Sequence, residues 1–144
     1  MIGEKIMEIK TFNSLPKDSL DLRIKVFVEE QGFVDEVDEA DDYAIHQVMY
    51  ENEKPIATCR FFLKEDNETY MFGRLCVLKE YRGKSLGREM LKRVEEIVKE
   101  KGGKAIILHS QYHAKGFYEK CGYTQYGEID YEQNKPHAWM RKEI

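Results

Sequence analysis

The densest chemistry in the chain lies in Lys79-Glu80-Tyr81-Arg82-Gly83-Lys84-Ser85-Leu86-Gly87. Gly83 and Gly87 allow close approach of a ligand to the backbone, and Arg82, Lys84 and Arg88 add positive charge. A Gly-containing loop that runs from a strand into a helix presents unpaired amides at the positive end of the helix dipole. That arrangement takes an anion. The bland alternative is an ordinary strand–helix connection with solvated basic residues. Gly83-Lys84-Ser85 also invites a nucleotide-binding P-loop, G-x-x-x-x-G-K-S, but the first glycine would have to stand at position 78, which is Leu78. The P-loop is excluded.

The elements that must position this loop follow from hydrophobic periodicity. Residues 5–12 alternate as a first strand, and a helix begins near Pro16, with Asn13 or Ser14 as its cap. That helix carries Leu20, Ile24, Phe27 and Val28 at helical spacing and ends at Gly32. An irregular acidic segment follows. Residues 43–50 and 55–63 are β-rich runs joined by the hairpin signal Glu51-Asn52-Glu53-Lys54, and a second polar turn leads into a strand over residues 70–78. Beyond the loop, Met90, Leu91, Val94, Ile97 and Val98 form one apolar helical stripe, stopped by Gly102-Gly103. Ala105-Ile106-Ile107-Leu108 reads as a buried parallel strand, a short helix covers residues 113–120, and two β segments, 123–131 and 137–141, finish the chain. The order β-α-β-β-β-α-β-α-β-β predicts an α/β domain over residues 1–144, with a mostly antiparallel central sheet, one right-handed parallel crossover and flanking helices.

The charge balance sharpens the picture. The 144 residues include 23 Lys+Arg and 27 Asp+Glu, a formal net charge of −4. Residues 29–42 hold eight carboxylates with no Lys or Arg, whereas residues 79–93 carry a net +4. A strongly basic nucleic-acid binder is thereby excluded, and the basic segment lacks the interleaved aromatics of a nucleic-acid patch. No apolar run approaches the roughly 18–20 residues of a membrane helix. The N-terminus carries no signal-peptide pattern, so the expectation is cytoplasmic. Cys59, Cys76 and Cys121 are odd in number and widely spaced among apolar residues, which predicts reduced core thiols and no metal site.

Arg82-Gly83-Lys84-Ser85-Leu86-Gly87, following Leu75-Cys76-Val77-Leu78, resembles the acetyl-CoA pyrophosphate loop of the GNAT N-acetyltransferase superfamily, R/Q-x-x-G-x-G/A. About thirty residues on, Ala114-Lys115-Gly116-Phe117-Tyr118-Glu119-Lys120-Cys121-Gly122-Tyr123 is similar to the second signature, A-x-x-F-Y-x-x-x-G-F/Y. One residue departs from the pattern: Ser85 stands where the loop usually has Gly. Residues 22–31, the acidic segment after them and Leu108-His109-Ser110-Gln111 resemble the ElaA-like branch.

The resemblance implies acetyl transfer from acetyl-CoA to an amine by direct attack in a ternary complex. It implies that the Cys76, Val77 and Leu78 backbone lies along the pantetheine arm. The pyrophosphate falls to Arg82, Gly83, Lys84, Ser85, Leu86, Gly87 and Arg88, with His113 as a further CoA contact. Tyr118 matches the family tyrosine that protonates the leaving thiolate. Some members carry an acidic general base on the strand before the loop; here that strand, Tyr70-Met71-Phe72-Gly73-Arg74-Leu75, has no carboxylate. His109 and His46 are then the base candidates, since imidazole titrates near neutral pH, and a water chain to Glu30 or the acidic segment is the other route. On the acceptor side the candidates are Glu30, His46 and the acidic segment, which would attract a cationic amine, and Arg23 and Arg74, which would hold an acceptor carboxylate or phosphate. A homodimer through the C-terminal strands rests on fold analogy. The rival reading is a non-catalytic acyl-CoA-binding regulatory module.

Overall fold

A computed structural model describes residues 6–34 and 37–144; Lys5 of the expected first strand and Asp35 and Glu36 of the acidic segment lie outside the described residues. Seven strands, β1 (Met7–Phe12), β2 (Ile45–Glu51), β3 (Lys54–Leu63), β4 (Thr69–Val77), β5 (Ala105–Gln111), β6 (Thr124–Glu132) and β7 (Lys135–Glu143), form a sheet in the order β1-β2-β3-β4-β5-β7-β6. The helices are α1 (Lys17–Arg23), α2 (Leu86–Glu100) and α3 (Lys115–Lys120). The expected mixed α/β fold is therefore present: β4 and β5 are the parallel pair, and β1–β2, β5–β7 and β6–β7 are antiparallel. Among the described residues no helix is long and apolar enough to cross a membrane. Two compact units divide the chain, Met1–Arg60 with Arg74–Lys92 and Phe61–Gly73 with Arg93–Ile144, so that β3, β4 and α2 each contribute to both.

In the first unit, α1 starts after an extended Pro16, with no side-chain cap, so the capping expected from Asn13 or Ser14 is not made. The helix then widens into a π-helical stretch, Ile24–Glu30, in which Gln31 N–H donates to the Val26 carbonyl at 3.1 Å. β-branched and aromatic residues dominate this stretch and hold the α form weakly. Widening changes which side chains face inward. Of the expected Leu20/Ile24/Phe27/Val28 stripe, Phe27 is buried, Leu20 and Val28 are half-buried and Ile24 is corrected to 40% exposed, while Leu22 and Val26 join the buried face. Gly32, at φ +76°, stops the helix as expected. The acidic segment is less irregular than its sequence suggests, since Glu39–Asp42 forms a 3₁₀ turn closed by a capping box of Asp38 and Asp41. The β2–β3 hairpin turns at Asn52 (φ +49°) and Glu53 (φ +70°).

In the second unit, the β4–β5 ladder runs from Thr69–Ala105 to Phe72–Leu108 and ends there. The apolar stripe of α2 is buried as its spacing predicts: Met90, Leu91, Val94, Ile97 and Val98 are all at 8% exposure or less. Gly102 (φ +82°) ends the helix. Gly103 is required by close packing, because a Cβ there would stand 2.5 Å from Val98 Cγ1 and 2.9 Å from the Tyr70 ring. Cys59 and Cys76 are buried and Cys121 half-buried, all as free thiols, and burial pushes the Cys59 thiol well above its ordinary value.

Candidate active site

In the first unit, the Gly-containing loop begins where β4 ends. Leu78 is buried, and its N–H donates to the Ile56 carbonyl at 2.9 Å, which fixes the exit of the chain. A 3₁₀ turn, Lys79–Tyr81, follows. Gly83 (φ +79°) and Ser85 (φ +63°) then take the left-handed conformation that aims the chain into α2. A Cβ at Gly83 would meet nothing within 4 Å, so the turn is open. Lys84, Ser85 and Arg88 are exposed, while Leu86 and Gly87 are half-buried. The first turn of α2 offers amides that no helical carbonyl precedes. Gln47, fully buried on β2, donates from Nε2 to the Met90 carbonyl at 3.0 Å and anchors this helix from below.

Arg82 does not simply point to solvent. Its Nε donates to the Val77 carbonyl at 2.9 Å, and its terminal nitrogen meets both Glu30 carboxylate oxygens at 3.1 and 3.0 Å. Glu30, an expected acceptor-side residue, is thus tied to the loop. Beside it, an open groove of about 540 Å³ is lined by Lys25, Glu29, Glu30, Lys79 and Glu80, and this mixture selects neither sign of charge.

The other acceptor-side candidates of this unit meet in a largely buried ion network. Arg23, 1% exposed, gives both terminal nitrogens to Asp41 at 2.8 and 2.9 Å. Arg60 reaches Asp41 at 2.9 Å and Asp38 Oδ2 at 2.9 Å, and Arg74 reaches the same Asp38 oxygen at 3.2 Å. Burial alone would raise the Asp41 carboxyl, but the hydrogen bonds and charge of Arg23, with the Asp38 amide and Arg60, hold it well below the carboxylate range. Asp38 is lowered chiefly by its Arg60 hydrogen bond. Two carboxylates expected to face a cationic acceptor are therefore neutralised by the protein's own guanidinium groups. The carboxylate that Arg23 holds is Asp41. Arg74, on β4, has φ +54° and is a quarter exposed. His46 is 0% exposed; its Nε2–H donates to the Asp41 carbonyl at 3.0 Å, its Nδ1 has no hydrogen-bond partner among the described residues, and burial pushes its pKa down.

In the second unit, Tyr118 on α3 is 8% exposed, edge-on to Phe72, Phe117 and Tyr123 at centroid distances of 6.3, 4.9 and 6.0 Å. His113 is exposed, with Nε2 at 2.9 Å from Gln111 Oε1. His109, on β5, is the centre of a cluster that sequence reasoning did not anticipate. Its Nε2 lies 2.6 Å from Asp130 Oδ1 and its Nδ1 lies 3.4 Å from Glu132 Oε2. Its ring stacks on Trp139 at 4.5 Å and sits 4.7 Å from His137. Strand register explains the grouping: β5 pairs with β7 so that His109 faces Trp139, and β6 pairs with β7 so that Asp130 faces His137. A bulge at residues 127–129, with Gly127 at φ +71°, shifts the register that brings Asp130 opposite His137. A glycine inside a β-type run was the one available signal for it. Asp38, Asp41 and Arg60 were likewise missed as partners, because nothing in the sequence pairs charges 18 to 22 residues apart.

Comparison with known proteins bears on this arrangement. Residues 11–123 match the family described as "Acetyltransferase (GNAT) family". The chain is 38% identical to the uncharacterized protein YyaT of Bacillus subtilis, over 88% of both chains. It is 33% identical to the uncharacterized N-acetyltransferase YjcF of the same organism, over 88% of this chain and 91% of that one. The crystal structure of Escherichia coli ElaA superposes with a TM-score of 0.84 at 25% identity, covering 95% of this chain and 99% of ElaA. An aminoglycoside 6'-N-acetyltransferase complexed with coenzyme A shares the fold, with a TM-score of 0.76 at 18% identity over 94% and 96% of the two chains.

Proposed function

The chain belongs to the GNAT acetyltransferase family and uses acetyl-CoA, and on that footing we propose that it acetylates a primary amine of a small molecule or peptide by direct attack in a ternary complex. The reading treats residues 1–144 as one catalytic domain. The observation that carries it is the loop: left-handed Gly83 and Ser85 open directly onto the first turn of α2, with Lys84 and Arg88 exposed beside it. Such a donor set fits a pyrophosphate.

Acetyl-CoA supplies the acetyl group activated as a thioester. The amides of residues 82–88, with Lys84 and Arg88, would bind the pyrophosphate, and the Cys76, Val77 and Leu78 backbone would align the pantetheine. An amide near Val77 would donate to the carbonyl oxygen as negative charge develops there. His109 would take the proton from the attacking amine, and the Tyr118 hydroxyl would give one to the departing sulfur. The C–N bond forms, the C–S bond breaks, and each proton has a named donor and acceptor. With Asp38 and Asp41 occupied by arginines, attraction of a cationic acceptor falls to carboxylates outside that network.

Acetyl-CoA is expected to raise the melting temperature of the protein, and Gly87→Leu is expected to abolish the rise. Thiol release on a panel of amines, diamines and amino sugars then tests turnover, with Tyr118→Phe lowering kcat more than cofactor affinity. No thermal shift in the parent protein refutes the loop assignment. A shift with no thiol release across the panel moves the reading to an acyl-CoA-binding module.

A further inference from the structure

We propose that Asp130 is the positioning residue of His109, fixing its tautomer and ring orientation for proton transfer. The inference rests on the reading of His109 as the base. The 2.6 Å contact of His109 Nε2 with Asp130 Oδ1 requires a proton on Nε2, because Asp130 is held ionised, chiefly by this hydrogen bond. In neutral His109 the lone pair is then on Nδ1, the atom left to take a proton. Glu132 Oε2 lies 3.4 Å from that atom as a nearby charge. Once Nδ1 takes a proton, the ring is a cation beside two carboxylates, one of them hydrogen-bonded to Nε2. The cluster is therefore more complementary to the state after proton transfer than to the state before it, which is the differential interaction that accelerates a step.

The supporting shell is built for this. Trp139 stacks on the His109 ring at 4.5 Å and fixes its plane. The bulge at residues 127–129 delivers Asp130 to the position opposite His137. His137 donates from Nδ1 to the Lys135 carbonyl at 2.8 Å, and its Nε2 is 3.7 Å from Glu132. Arg141, two residues beyond Trp139 on β7, is engaged by Glu143 at 2.7 Å. His109 is 17% exposed, whereas Asp130 and Glu132 are about half exposed, so a proton that reaches the cluster has a path to solvent.

The chain contains one Trp, and it stacks on the residue in question. Trp139 emission at fixed pH therefore reports on the placement of the His109 ring without any need for turnover. The expected result is that Asp130→Asn changes this emission as His109→Gln does, whereas kcat falls about tenfold in Asp130→Asn with KM little changed, and Asp130→Glu restores part of both. Unchanged emission or full kcat in Asp130→Asn, or a loss confined to KM, overturns the proposal. If the emission change holds while His109→Gln retains full turnover, the failure lies in the assignment of His109 as base, and Asp130 then positions a residue without that role.

Discussion

Replacing Asp41 by Asn tests how the acidic segment is held. The Asp41 carboxylate accepts two hydrogen bonds from Arg23, one from Arg60 at 2.9 Å and one from the Asp38 amide at 3.0 Å, and the residue is 2% exposed. Asn keeps one acceptor oxygen and turns an NH₂ toward a guanidinium, so at least two charge-assisted bonds are lost. At about 1.5 kcal/mol or more each, that is about 3 kcal/mol. The cost of leaving a buried cation without its partner points to a similar value, about 3–5 kcal/mol. For 144 residues the entropy of unfolding near 60 °C is about 0.3 kcal/mol/K, so Tm should fall by about 10 °C. The double variant Arg23→Met/Asp41→Leu removes both charges and leaves Arg60 with Asp38, so it should be markedly more stable than Asp41→Asn alone. Urea denaturation of Arg23→Met, Asp41→Leu and the double variant closes a double-mutant cycle and gives the coupling. A loss below about 1 kcal/mol in Asp41→Asn, or additive effects of the two single changes, would show that the network is not held by mutual neutralisation.

Ser85→Gly relieves a left-handed Ser at φ +63° and should stabilise the protein by up to about 1 kcal/mol while preserving the acetyl-CoA thermal shift; Ser85→Val should reduce both. Gly103→Ala places a methyl 2.5 Å from Val98 Cγ1 and should cost about 1–3 kcal/mol by urea denaturation, with no change in pH dependence. His46 supplies a pH signature. Its folded pKa lies below the ordinary 6.5, so the unfolded chain binds a proton that the folded one refuses. Its stabilising contribution is complete above about pH 6.5 and is lost as pH falls toward the folded value, at a slope of up to about 1.4 kcal/mol per pH unit. The stability difference between the parent and His46→Gln, measured from pH 7.5 to 5.5, should narrow as pH falls; a difference independent of pH refutes the buried neutral state.

Legibility varied with the range of the interaction. The α2 stripe, the Gly102 stop and the Glu51–Lys54 hairpin turn were readable because each is decided within a few residues by periodicity or backbone sterics. In the first helix the stripe departs at Ile24, which is exposed, and at Val26, which is buried, since a π-helical stretch has no sequence rule and alters the spacing on which the stripe is counted. The eight-carboxylate run was the largest misjudgement of environment. Its sequence shows no basic neighbour, yet Arg23, Arg60 and Arg74 reach Asp38 and Asp41 from other elements.

The sequence by itself determined the loop, the order of elements and the resemblance to a family of acetyl-CoA-dependent enzymes. These depend on short-range spacing of Gly, charge and apolar residues. Only the tertiary structure decided which charges are spent internally and which imidazole meets a carboxylate. His46 was buried against a backbone carbonyl, whereas His109 was set between Asp130 and Glu132. The physical reason is register: a two-residue period and one bulge bring together side chains 21 positions apart, and no local pattern records the alignment of strands that are distant in the chain.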